Sequence, residues 1–279
     1  MVAYGDSAIA HLAEVDLAET VTNLSRVRAQ NRARLANSAL TRAFLNAAMS
    51  LSEDLFAGDD DLTEGVPQSL AHLSRPRVVG RAQKDYPDLV PTEAKFRDRW
   101  AGQQDFIDDF IAYALVVRRV NLGAAIEQIS RESSAGEDLP AALHRIAYAG
   151  ALLVLQLPGF RLQLLTIASA SAHPLVSRAL KDMYAQVTQA WFGLYERVLA
   201  SAGLALRRDV TAEEFSIMLE ALGEGLGLRL LADLEEPLVD HGERRSLLGK
   251  AALGLILGFM DDGDGLGVED AVASRLGRL

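Results

Sequence analysis

The chain has no cysteine, which excludes a disulfide framework, a thiolate metal centre and a cysteine nucleophile. Its histidines (His11, His72, His144, His173, His241) are scattered, without the spacing that builds a metal site. No Ser/His/Asp arrangement can be assembled from spacing alone. No apolar run reaches the ~20 residues that cross a bilayer. The best candidate, Ile146 to Leu157, is broken by Gln156 and Pro158 and flanked by Arg145 and Arg161. The start, Met-Val-Ala-Tyr-Gly-Asp, lacks the cationic and apolar segments of a secretory signal. These absences predict a soluble cytoplasmic protein with no membrane partner, no cofactor, no metal and no enzymatic site. Lysine is scarce as well: 4 of the 28 basic residues are Lys and 24 are Arg.

What is present is charge unevenly spread. The net charge of −10 argues against a nucleic-acid partner only until its distribution is read. Between Thr20 and Ser52 lie five arginines (Arg26, Arg28, Arg32, Arg34, Arg42) and no acid. From Val66 to Trp100 seven cations face four acids, whereas residues 101–279 hold 16 cations against 24 acids. Cationic patches in the first third, separated by the acidic run Asp59-Asp60-Asp61, point to contact with a polyanion.

Helical periodicity dominates, strand signals are absent, and 279 residues suffice for two domains. The expected fold is all-α: a helical extension over 1–38, a helix-turn-helix domain over 39–104, and a larger helical domain over 105–279. One helix is expected from Ile9 to Val27, running into the arginines, and another through Leu40–Leu51. A third starts at Pro76 and stops before Tyr86-Pro-Asp. After Asp105 the pattern predicts helices to about Val120, then a short helix before the polar loop 131–138. Further helices follow over Leu139–Leu157, Phe160–Ala172 and Pro174 to before Gly203. Thr211-Ala-Glu-Glu214 is a capping box opening the next, and the last strong helix is expected from Glu243 to Met260. Gly249, Gly254 and Gly258 cost about 1 kcal/mol each inside that helix, which suggests close helix–helix approach.

The stretch Leu89-Val-Pro-Thr-Glu-Ala-Lys-Phe-Arg-Asp-Arg-Trp100 predicts a short cationic helix over 92–100, N-capped by Thr92. Phe96 and Trp100, four apart, would anchor one face, while Thr92, Lys95 and Arg99 share another with Arg97 close by. An anchored helix presenting cations outward is what reading a DNA major groove requires. Arg75, Arg77, Lys84, Thr92, Lys95, Arg97 and Arg99 are therefore the candidate DNA contacts. The Thr92 amide region is a further place for a phosphate.

Together these segments resemble the TetR family of bacterial regulators, over about residues 39–262. Thr41-Arg-Ala-Phe-Leu-Asn-Ala-Ala-Met-Ser-Leu-Ser resembles the family's opening helix, and Thr92-Glu-Ala-Lys-Phe-Arg-Asp-Arg-Trp100 its recognition helix with the closing aromatic. Gln103-Gln-Asp-Phe-Ile-Asp-Asp-Phe is similar to the start of the linking helix, and Leu206-Arg-Arg-Asp-Val-Thr-Ala-Glu-Glu-Phe with Leu219-Glu-Ala-Leu-Gly-Glu-Gly-Leu to the penultimate one. The resemblance implies a homodimeric repressor that binds a double-stranded DNA operator and is released by a small, largely apolar effector, with 105–279 as its ligand-binding and dimerisation domain. Implied dimer contacts are Phe215, Met218, Leu222, Gly225, Leu226, Leu248, Gly254, Leu255 and Gly258. The implied ligand pocket would draw on His144, Tyr148, Gln156, Phe160, Tyr184, Trp191 and Phe192. Departures are concrete: Leu89-Val-Pro91 replace the family's small turn residues, its tyrosine falls on Arg97, and its lysine falls on Gln103. A sensing or protein-interaction module with a lapsed helix-turn-helix is therefore an alternative. The arginine-rich extension can bind phosphates or enter a minor groove, or can simply pack on the domain. Asp60-Asp61-Leu-Thr-Glu64 has the spacing of a magnesium–diphosphate box, which keeps an all-helical isoprenoid enzyme as the remote alternative. Gly223-Glu-Gly225-Leu-Gly227 lies inside a capped helix and is not a phosphate loop. Asp262-Gly-Asp264-Gly is calcium-loop-like but out of register, and reads as tail.

Overall fold

The structure is a computed structural model that describes residues 12–24, 27–57, 70, 72–132, 138–156, 159–169, 174–232 and 238–277. The fold is all-α, with a two-stranded hairpin as its only sheet among the described residues. In chain order the helices are α1 (Ala29–Ala36), α2 (Ala39–Ala57), α3 (Arg75–Asp85), α4 (Glu93–Arg97), α5 (Gln103–Arg131), α6 (Leu139–Gln156), α7 (Phe160–Ser169), α8 (Pro174–Ser201) and α9 (Ala212–Leu231). The strands β1 (Val239–Asp240) and β2 (Arg245–Ser246) then precede α10 (Leu247–Phe259) and α11 (Val268–Leu276). No helix among the described residues is long and apolar enough to cross a membrane.

The chain forms two compact units: Met1–Asn121 with Pro158–Met183, and Leu122–Leu157 with Tyr184–Leu279. Two of the three boundaries fall inside helices, at 121/122 in α5 and at 183/184 in α8, and the third falls between α6 and α7. The first unit takes in residues 105–121 and 158–183, which the sequence pattern assigned to the second domain. The physical reason is its core, to which Phe106, Phe110, Tyr113, Ala114, Val117 and Leu162 all contribute.

The N-terminal stretch belongs to that same core, through Leu17, Val21, Leu24 and Ala36. The expected helix over Ile9–Val27 is not what the described part forms. Residues 12–14 are helical, but the chain turns at 18–20 and has no regular structure through 21–24. Asp16 breaks the helix by accepting the Ala18 amide, and Asn37 holds the turn by accepting the Leu17 amide at 2.8 Å. A second anchor is Asp109 on α5, wholly buried, which accepts the Thr22 and Asn23 amides at 2.9 and 3.0 Å.

Two further expectations are corrected. α5 is one uninterrupted helix of 29 residues, so the predicted break near Val120 is absent. The helix expected from Glu243 instead starts at Leu247, behind the hairpin. There Asp240 accepts the Glu243 amide at 3.0 Å and Arg244 takes a left-handed conformation (φ 51°), a turn that ends any helical continuation.

In the second unit, α6 is apolar nearly all round because α9, α10 and β2 pack against it. The Thr211–Glu214 capping box forms as expected: the Glu214 amide donates to Thr211 Oγ1 at 3.2 Å and the Thr211 amide to Glu214 Oε2 at 2.8 Å. The segment that read as tail is built around Arg207, whose side chain is fully enclosed. Its guanidinium donates to the Gly258 carbonyl (2.9 Å), the Leu266 carbonyl (3.1 Å) and Asp264 (2.7 Å).

Candidate nucleic-acid interface and cleft

The helix expected over 92–100 is shorter: α4 spans Glu93–Arg97, with a turn at 98–99, and is positioned from both ends. Thr92, in extended backbone, accepts the Lys95 amide at 3.2 Å and so caps the first turn. Phe96 sits 5.3 Å from Phe44 and 4.8 Å from Phe106, ring centre to ring centre, and Trp100 lies 4.9 Å from both Phe96 and Phe106. All four rings are fully buried, so the inward face of α4 is fixed in a tightly interlocked aromatic core. The Trp100 indole donates to Asp109 at 2.8 Å. Burial pushes the Asp109 carboxyl up to about 6, against the opposing pull of the groups that donate to it.

Not every cation assigned to DNA contact faces outward. Arg99 is only 6% exposed and points into the unit. It donates to Thr41 Oγ1 (2.9 Å), the Lys95 carbonyl (2.7 Å) and Ser38 Oγ (3.4 Å), and lies 5.8 Å over the Phe44 ring. Burial lowers its pKa, while the Asp98 charge opposes the shift. Arg99 therefore ties the end of α4 to the junction between α1 and α2. One residue short of the buried Trp100, it is carried inward by the helix turn.

Lys95 is also redirected: its ammonium donates to the Leu89 (3.3 Å) and Val90 (2.9 Å) carbonyls. Val90, 60% exposed, has φ 47°, a left-handed conformation that costs a β-branched residue about 1–2 kcal/mol. Lys95 and Gln83, which donates to the Pro91 carbonyl at 2.9 Å, hold that turn shut. The Arg75 guanidinium lies 5.8 Å over the Phe96 ring. Gln103 donates to the Leu73 carbonyl at 2.6 Å.

Arg77, Lys84 and Arg97 remain exposed, Arg97 beside Glu93 at 3.5 Å. Asp85, Asp88, Glu93 and Asp98 are exposed among them, so this part of the surface is mixed in sign. α1 differs: Arg28, Arg32 and Arg34 are exposed, and no acid lies nearby in sequence.

The expected ligand residues do not converge. His144 lies beneath Gly249, where an added Cβ would run into the imidazole ring and approach the His144 Cα to 3.3 Å. Tyr148 is engaged by the hairpin: its hydroxyl lies 3.0 Å from His241 Nδ1 and the Arg244 guanidinium lies 5.8 Å from its ring. Phe160 is buried in the first unit, 4.7 Å below the Arg118 guanidinium. Trp191 is core, stacked on Tyr195 at 5.6 Å. The Gln156 side chain lies outside the described residues, as do Asp60, Asp61 and Glu64.

Tyr184 and Phe192 do share a cleft of about 730 Å³ between α8 and α9 in the second unit. Thr188, Ile217, Glu220 and Glu224 line it with them. The Thr188 hydroxyl donates to Glu220 Oε2 at 2.8 Å, whereas Glu220 Oε1 is shielded from solvent and receives no hydrogen bond. Burial is the main cause that pushes the Glu220 carboxyl up to about 7; the Thr188 bond opposes it and the Glu224 charge adds to it. The acids were legible as Glu213, Glu220 and Glu224, seven and then four apart on one helix face. A row of carboxylates on a helix reads equally as solvated surface, so the spacing alone does not mark a site.

On the expected dimer surface, Phe215 and Leu226 turn inward and are buried, Phe215 between Tyr195 (6.2 Å) and Phe259 (6.5 Å). Leu248 packs beside the small core of Ala151, Leu226 and Leu238. Met218 and Leu255 are half-buried, and Leu222 is exposed. Leu257, which the sequence did not single out, is 73% exposed. A Cβ added at Gly225, Gly254 or Gly258 would meet nothing within 4 Å. Of the three α10 glycines, only Gly249 is explained by packing within the chain.

Asp261, Asp262 and Asp264 bring carboxylate oxygens within 4.8 Å of one another. Arg207 and Arg275 already sit among them, supplying the positive charge that a cation would otherwise bring. No family model, curated protein or solved structure matches the chain.

Proposed function

We propose that the protein is a TetR-like, DNA-binding transcriptional regulator of a bacterial cytoplasm, working as a homodimeric repressor released by a small effector. The observation that carries this reading is α4, a capped helix fixed by Phe96 on its inner face and by Trp100 just beyond its end, while Arg97 stands in solvent. α3, its turn and α4 would form the helix-turn-helix, with α4 entering the major groove. Arg97, Arg77 and Lys84 are the contacts from that element, and Arg28 at the start of α1, with Arg32 and Arg34 on it, adds phosphate contacts in the same unit. Lys95 and Arg99 shape the element rather than touch DNA.

One helix this short gives too few contacts for specific affinity, so two copies are required. The exposed Leu222 and Leu257, with open space at Gly225, Gly254 and Gly258, support a second copy meeting α9 and α10. Selection of bound duplexes from a random library, followed by a salt titration of the best site, tests the proposal. Operator binding should weaken steeply with salt, with a log–log slope near −0.9 per phosphate contact. Failure to enrich any sequence would sink it.

A second reading is favoured by one observation: Lys95 is spent on carbonyls and Arg99 is buried, which leaves α4 poor in free cations. In that reading the unit is a lapsed helix-turn-helix serving a sensing or protein-binding module. Enrichment of no sequence, with at most weak, sequence-blind binding that salt abolishes, would select it.

A further inference from the structure

The cleft between α8 and α9 combines three features that point one way. Its walls are apolar and aromatic at Tyr184, Phe192 and Ile217, the last 49% exposed and without an apolar cover. Its floor carries Glu220, hydrogen-bonded through one oxygen only, with Glu224 one turn further along α9. No cation is among the lining residues. Its volume is within the ~300–1,000 Å³ typical of small-molecule sites.

A carboxylate held with one oxygen shielded and undonated carries a desolvation cost, which the raised pKa of Glu220 expresses. A cation placed there would relieve it. The last torsion of a glutamate is soft, so a small rotation presents the second oxygen to the cleft without disturbing the chain. Aromatic faces are attractive to cations as well, so Phe192 and Tyr184 favour the same charge as Glu220 does. The largely apolar effector that the family resemblance implies would leave that carboxyl as costly as before unless it also carried a cation.

We propose that this cleft is a binding site for an organic cation with an apolar body, its ammonium group held by Glu220 and its body lying against Phe192, Tyr184 and Ile217. Thr188 orients the carboxylate, and Glu224 deepens the negative field without having to touch the ligand. The cleft is built wholly from residues of the second unit and the candidate DNA contacts belong to the first, so binding is tested on free protein in the absence of DNA.

The probes are 2-phenylethylamine and tryptamine, with 2-phenylethanol as the uncharged counterpart and phenylacetate as the anionic one, each titrated by calorimetry at neutral pH. The amines should bind saturably, and the alcohol and the acid at least about tenfold more weakly. Glu220→Gln should reduce amine affinity about tenfold or more while leaving the melting temperature unchanged or raised, since it removes a buried charge. Phe192→Ala should weaken the amines too. Amines and alcohol binding equally, Glu220→Gln leaving amine affinity intact, or no saturable binding of either amine would each overturn the proposal. None of these outcomes touches the operator experiment, so the two readings fail separately.

Discussion

Replacing Arg99 by alanine removes a guanidinium that makes two short hydrogen bonds, to Thr41 at 2.9 Å and to the Lys95 carbonyl at 2.7 Å. Bonds from a charged donor contribute about 1.5–3 kcal/mol each, but burial of the guanidinium, visible in its lowered pKa, cancels part of that. Thr41 keeps its own bond to the Leu35 carbonyl at 2.7 Å, so the hydroxyl is not orphaned. The net loss is then about 2–3 kcal/mol, or a melting point lower by roughly 5–10 °C. Each unit holds one of the two tryptophans, Trp100 in the first and Trp191 in the second. Urea unfolding followed by fluorescence in a Trp191→Phe background therefore reports on the first unit. Arg97→Ala is the matched control: its pair with Glu93 is exposed, so stability should move by less than about 0.5 kcal/mol. Operator binding should lose about one unit of salt slope in the same variant. An Arg99→Ala protein of unchanged stability that no longer binds DNA would refute the assignment of Arg99 as an internal tie.

Other outcomes follow from the same geometry. The folded pKa of Asp109, about 6, is raised above 3.8, so between those values the folded state keeps a proton that the unfolded chain has lost. Stability should fall by about 3 kcal/mol as pH rises through that window, and Asp109→Asn should flatten the slope in Trp100-monitored unfolding. Asp264 is the opposite case: Arg207 holds it at about 2, so its contribution is complete above pH 3.8 and is lost as pH falls towards 2. Asp264→Asn should make acid unfolding of the second unit less steep. Gly249→Ala should cost about 1–3 kcal/mol through its clash with His144. Gly254→Ala and Gly258→Ala should instead gain up to about 1 kcal/mol in the monomer yet weaken self-association in sedimentation experiments.

The helices over 75–85, 139–156, 174–201 and 212–231 were legible because period, proline position and caps agreed there. The hairpin was missed because Val239–Asp240 and Arg245–Ser246 are too short to alternate, and its turn rests on Asp240 rather than on an Asn-Gly signal. Arg99 was misassigned because heptad-like spacing cannot say which way a residue beside a buried tryptophan will lean. The aromatic anchor of α4 was readable from Phe96 and Trp100, but its partners Phe44 and Phe106 lie in other helices. Tyr184 and Phe192 were recognised as bulky residues on one stripe. Glu220 was not, because burial of a carboxylate depends on the neighbouring helix.

Asp109 receives its donors from residues 22, 23 and 100, and Leu17, Val21 and Leu24 fill the space behind them. Trimming the protein back to residue 39, where the family-like pattern begins, would uncover the aromatic cluster and strand a carboxylate in a half-empty pocket. A negative binding result obtained with such a shortened protein would report damage to the scaffold. The opening segment is part of the frame that holds the reading helix, and any dissection of this molecule has to carry it along.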